Sequence, residues 1–190
     1  EIGVRLVGSE MCIRDSIYGA GRSEEVFGKA LAENKGMRER MRIQTKCGIR
    51  DGYYDFSAAH ILSSVDDSLR RLQAEYIDLL LLHRPDALMD VEEVADTLHQ
   101  LQRTGKVRRF GVSNFTSAQI ELLQSVCKVP IQVNQMQFGL MHAGMIQQGL
   151  EANMLTDGAA SRDMAVLDYC RLHNITCLLY TSPSPRDGLL

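Results

Sequence analysis

The chain has 190 residues, is 45% hydrophobic and 24% charged, and carries a net charge of −3 with a pI near 6.0. These values fit a soluble globular protein with one core, and the acidic balance argues against nucleic acid as a main partner. No window reaches the roughly 18 apolar residues of a membrane span, and no secretory leader is visible, so the expectation is a cytoplasmic protein without a membrane partner.

In chain order, the first segment, Leu6 to Ser16, has neither helical nor strand period. With the tail Leu178 to Leu190, which holds two of the four prolines, it resembles translated adapter sequence joined to an assembled read. Residues 1–16 and 178–190 are therefore expected to be artefactual, like the scar of a fusion, and are kept out of the fold. The natural core is expected to run from Ile17 to about Cys177.

Gly21 to Asn34 reads as a helix. Ser23 is its expected cap, Glu24 and Glu25 suit the positive end of its dipole, and Gly36 is its stop. Arg42 to Lys46 reads as a short strand. Phe56 to Gln73 is a second helix, with Ile61, Leu62, Val65, Leu69 and Leu72 on its apolar face. Tyr76 to Leu82 is a nearly continuous apolar run, as expected of a strand buried on both faces of a parallel sheet. Val91, Val94, Leu98 and Leu101 mark a third helix, ended near Gly105. Val107 to Val112 is a strand. Thr116 and Gln119 form a capping box for a fourth helix carrying Ile120, Leu123 and Val126. Ile131 to Asn134 is a further strand. An irregular stretch from about Gln137 to Ala160 leads to a helix ending near Asn174 and a last strand, Ile175 to Leu179.

This alternation means a parallel sheet with helices outside. A closed eight-stranded barrel needs about 250 residues, so the pattern implies part of a (β/α)8 barrel. Roughly strands two to six are present, the first is damaged and the last two units are missing. Five parallel strands could instead form an open doubly wound sheet. The strand exits favour the barrel, because they form one coherent ring of polar residues.

At those exits stand Thr45-Lys46-Cys47-Gly48, His83-Arg84-Pro85-Asp86, Ser113-Asn114-Phe115 and Asn134-Gln135. Tyr18-Gly19 stands where a first strand would leave. In a barrel these side chains face one mouth. A phenol is a poor acid at neutral pH unless a nearby cation lowers its pKa; Lys46 can do that for Tyr18, and a neutral His83 can hydrogen-bond a substrate oxygen. Taken singly, each has a plain structural use. Tyr18 could be a strand-end aromatic, Lys46 a solvated lysine, Ser113 a helix cap, and Asn114 and Gln135 loop ties. No Cys/His spacing for a metal, no Gly-rich dinucleotide fingerprint and no Walker loop is present, and the five cysteines form no CxxC pair.

These motifs, with Asp67 to Leu72 just ahead of Tyr76-Ile77-Asp78, resemble the aldo-keto reductases in order and spacing. Gln135-Met136-Gln137-Phe138 and Leu140-Met141-His142 are similar to its bacterial oxidoreductase branch. The resemblance implies a (β/α)8 barrel that binds NADP(H), with NAD(H) as the alternative, and exchanges hydride with a small-molecule carbonyl. It implies Tyr18 as general acid, Lys46 as the residue lowering its pKa, and His83 as the group orienting the carbonyl. Ser113, Asn114 and Gln135 would hold the nicotinamide carboxamide. The family's catalytic Asp stands five residues before the Tyr, where this chain has Ile13. The strands carrying the adenosine-phosphate contacts fall beyond the chain. The expectation is that the parent protein is the enzyme and that this polypeptide is an inactive, aggregation-prone fragment. Two alternatives are a non-catalytic cofactor-binding subunit resembling potassium-channel β-subunits, and an unrelated phosphosugar-binding barrel.

Overall fold

The computed structural model describes residues 10–12, 21–34 and 36–180. In chain order its elements are β1 (Glu10–Cys12), α1 (Arg22–Glu33), α2 (Met37–Arg40), β2 (Arg42–Cys47), β3 (Ile49–Arg50), β4 (Tyr53–Tyr54), α3 (Ala58–Leu72), β5 (Ile77–Leu82), α4 (Val91–Arg103), β6 (Val107–Ser113), α5 (Ser117–Val126), β7 (Ile131–Gln137), α6 (Gly144–Leu150), α7 (Val166–Leu172) and β8 (Thr176–Tyr180). Six strands pair in parallel in the order β1-β2-β5-β6-β7-β8, while β3 and β4 form a separate antiparallel ribbon.

Spatial order thus follows chain order. A doubly wound sheet reverses direction part way along. A sheet that grows on one side only, through crossovers of one hand, keeps its helices on one face and curls toward a barrel. The partial (β/α)8 architecture is the observed one, and the doubly wound alternative is excluded by this order.

All six residues of β5 are buried, because one face meets helices and the other the barrel interior. Leu80 and Leu82, with Phe110 and Val112 of β6, form the helix-side core with Ile61 and Val65 of α3, Leu98 and Leu101 of α4, and Ile120 and Leu123 of α5. Burying each such side chain stabilises the fold by about 1.5–3 kcal/mol. Asp78 interrupts the run without an unmet charge. Its carboxylate accepts the Ile43 N–H at 2.9 Å and pairs with Arg38 at 2.9 Å.

Several local expectations change. Ser23 does not cap α1; the helix begins at Arg22, and Gly21, in the left-handed conformation (φ 85°), occupies the cap position. Ser23 therefore lies inside the first turn, where its hydroxyl has no cap to make. Gly36 separates α1 from the short α2, which the sequence pattern missed. The stretch read as irregular contains α6. The Thr116–Gln119 capping box is present. Glu10–Cys12, set outside the fold by its lack of pattern, pairs with Arg42–Gln44, and β8 extends through Tyr180 beside Gln137.

Candidate active site

The ladder registers decide which side chains share a face. Thr45 points to the helices, since its hydroxyl donates to Glu24 of α1 at 2.7 Å, so its neighbour Lys46 points to the interior. Lys46 is abreast of Leu81, Leu81 of Gly111, and Gly111 of Val133. One layer nearer the C-terminal rim, Ser113 is abreast of Gln135. His83 continues the same face of β5 beyond Leu81, with its N–H donating to the Cys47 carbonyl at 2.9 Å. Lys46, His83, Ser113 and Gln135 thus occupy two adjacent layers of one interior surface.

A bulge makes this possible. Phe110 pairs with Ile131 but Gly111 pairs with Val133, so Gln132 is the extra residue. Ile131 faces the helices with Phe110, yet Val133 and Gln135 face the interior. Without the bulge the alternation of β7 would aim Gln135 at the helices. A Cβ on Gly111 would lie 2.6 Å from Leu81 Cδ2 and 2.6 Å from the Val133 carbonyl, so only glycine fits there.

At the rim, Asn114 takes the left-handed conformation (φ 59°) and its N–H donates to the Gln135 carbonyl at 2.9 Å. Its amide Nδ2 donates to Ser113 Oγ at 3.0 Å, and Ser113 Oγ donates to the same Gln135 carbonyl at 3.1 Å. Asn134 faces the other way, with Nδ2 donating to the Phe115 carbonyl at 3.0 Å. The result is a connected amide and hydroxyl set, 1% exposed at Ser113 and 4% at Gln135, beside His83 at 8%. Such a set can exchange hydrogen bonds with a primary carboxamide, which both donates and accepts. Tyr18 lies outside the described residues. The structure brings the other five expected site residues to one rim.

Sequence reasoning missed the ribbon β3–β4, which borders a cleft of about 620 Å³ together with Lys46 and the α3 residues His60, Ser64 and Arg71. The signal was available: Asp51-Gly52 between two short runs is a two-residue hairpin turn. Asp55, just after the ribbon, accepts from the Ser57 N–H at 3.0 Å and pairs with Arg50 at 3.0 Å. Burial pushes its carboxyl up, but the Ser57 and Arg50 hydrogen bonds outweigh this and hold it below the ordinary range. Also missed was Glu24, read as a dipole partner but fully buried.

The profile of the Aldo/keto reductase family matches residues 16–182. The oxidoreductase YdhF of Escherichia coli is 44% identical over 141 residues, which are 70% of this chain and 47% of YdhF. A glycerol dehydrogenase from Gluconobacter oxydans superposes with a TM-score of 0.69 at 31% identity, covering 89% of this chain and 48% of that one. An aldo/keto reductase from Klebsiella pneumoniae, solved in complex with NADP and acetate, superposes with a TM-score of 0.65 at 25% identity, covering 90% of this chain and 52% of that one. The chain spans about half the length of the curated relatives it matches.

Proposed function

Because this chain belongs to the aldo/keto reductase family, we propose that residues 17–177 are part of a longer barrel, an NADP(H)-dependent oxidoreductase that reduces aldehyde or ketone carbonyls to alcohols. The observation that carries this reading is the shared interior face of Lys46, His83, Ser113 and Gln135 at the C-terminal ends of their strands, where barrels of this architecture place their chemistry. NADPH, when bound, supplies the hydride.

The chain's own residues do the rest. Ser113, Asn114 and Gln135 hold the nicotinamide carboxamide; their hydroxyl and amide groups fit it, and a relative of similar fold holds NADP. Tyr18 gives its phenolic proton to the carbonyl oxygen. Lys46, as a cation, favours the phenolate left behind and so makes the phenol a stronger acid. His83 orients the carbonyl by donating to the same oxygen. The setting is a cytoplasm, where the cysteines stay reduced.

The test follows NADPH oxidation with a panel of aldehydes and ketones, in this chain and in the longer reading frame that carries it. The longer protein should turn over. Tyr18→Phe and Lys46→Met should each lower kcat by about 100-fold or more, and the present chain alone should show no reduction. Unchanged turnover in Tyr18→Phe would overturn the catalytic assignment. Brisk turnover by the present chain would overturn its separation from the full barrel.

A further inference from the structure

Glu24 has no exposed surface, yet it is a carboxylate at the helix–sheet interface. One oxygen accepts from Thr45 Oγ1 at 2.7 Å and the other from Arg71 Nε at 2.7 Å. A buried charge is tolerated only when paired and hydrogen-bonded, and this one is both. Its partners come from two other elements: Thr45 from β2 and Arg71 from the last turn of α3. Thr45 is itself fully buried and directly precedes Lys46. Because side chains alternate along a strand, holding Thr45 toward the helices fixes the roll of β2 and so the direction of Lys46.

Charge balance adds a second link. Arg71 and Lys46 both border the cleft, Arg71 from the helix side and Lys46 from the end of β2. The other titratable or charged side chains lining that cleft, among the described residues, are Arg50, Asp51 and Tyr53 of the ribbon and its turn, and His60 and Asp67 of α3; His83 stands at the exit of β5. Arg50 is paired with Asp55, and Asp67 with Arg70. The Arg71 guanidinium is balanced by Glu24. Without that carboxylate, an uncompensated cation would stand on the helix side of the cleft that Lys46 borders.

We propose that Glu24 is a positioning residue for Lys46: through Thr45 it sets where the lysine points, and through Arg71 it keeps the neighbouring potential from driving a proton off the ammonium. This deepens the catalytic reading above and rests on it for the meaning of Lys46, but not for its test.

Lysine amines of the full chain are tagged by reductive ¹³C-methylation and titrated by NMR, with Lys46 assigned by its loss in Lys46→Arg. In Glu24→Gln the Lys46 midpoint should fall, the direction expected when a neighbouring cation is left unbalanced. Lys106, bound to Asp66 at the opposite end of the sheet, should not move. In Glu24→Gln/Arg71→Gln, which buries no unpaired charge, the midpoint should return to within a few tenths of its original value. Thr45→Val should shift the Lys46 resonance, and Thr45→Ser should restore it. If Glu24→Gln does not fold, the double variant and the Thr45 pair carry the test. A folded Glu24→Gln with an unmoved Lys46 midpoint, or identical Lys46 signals in Thr45→Val and Thr45→Ser, would overturn the proposal. Neither result depends on turnover, so each is distinct from a failure of the catalytic assignment itself.

Discussion

Gly28 lies on the face of α1 that meets α3, and a Cβ there would sit 2.2 Å from the Arg71 carbonyl oxygen. The backbone cannot yield without pulling Glu24 away from Arg71 and Thr45. Gly28→Ala should therefore destabilise the chain by about 1–3 kcal/mol, read as a lower denaturation midpoint. Asp55 makes a different prediction, one of pH. Its carboxyl is held below the ordinary range in the folded state. The stabilisation is therefore present above the unfolded pKa of about 3.9 and is lost as pH falls through the folded value. Amide exchange in residues 49–57 should accelerate on acidification below pH 4, and Asp55→Asn should remove that dependence. Neither residue stood out in the sequence. An apolar-face pattern registers side chains that are present, not a glycine whose role is to have none, and Asp55 gains its meaning only once the ribbon brings Arg50 to it.

Among the elements, β7 depends most on its neighbour. Its two faces exchange at the bulge, so Ile131 joins the helix-side core while Gln135 joins the interior rim. Deleting Gln132 should force a choice between them, exposing Ile131 to the interior or turning Gln135 outward. The expected cost is about 2–5 kcal/mol, comparable to removing a large core side chain. Gln132→Ala keeps the count of residues and should cost less than about 1 kcal/mol. Denaturation of the two variants side by side checks this; equal midpoints would show the bulge to be dispensable. The strands β2, β5, β6 and β7 were legible in the sequence because apolar runs bounded by turns are specific to buried parallel strands. The bulge was not, since a strand with an extra residue has the same composition as one without. Gly111 inside a strand was the only hint. Thr116 and Gln119 were legible because a capping box is local, whereas Gly21 took the cap from Ser23 through backbone conformation.

For the whole molecule, β1 and β8 stand at the two edges of the described sheet. Leu140, Met141 and Leu155 are fully exposed. Unpaired edges and apolar surface favour association. Light scattering of the purified chain should show mass rising with concentration, and a strictly monomeric solution at high concentration would contradict this. Resequencing the gene across Ser16/Ile17 should return an Asp codon five residues before Tyr18. The family was legible because six short motifs kept their order. The partnership of Glu24 with Arg71 was not, because 47 residues separate them. The sequential strand order has one more consequence, for assembly. Each of β2 and β5 to β8 pairs with the strand just before it in the sheet order, but every pairing joins residues well apart in the chain, as Phe110 with Ile131 and Val133 with Thr176. Non-local parallel pairing of this kind slows folding. During synthesis each strand and helix can be laid on the unit just made, from the N-terminus onward, and the polar rim is completed one strand at a time.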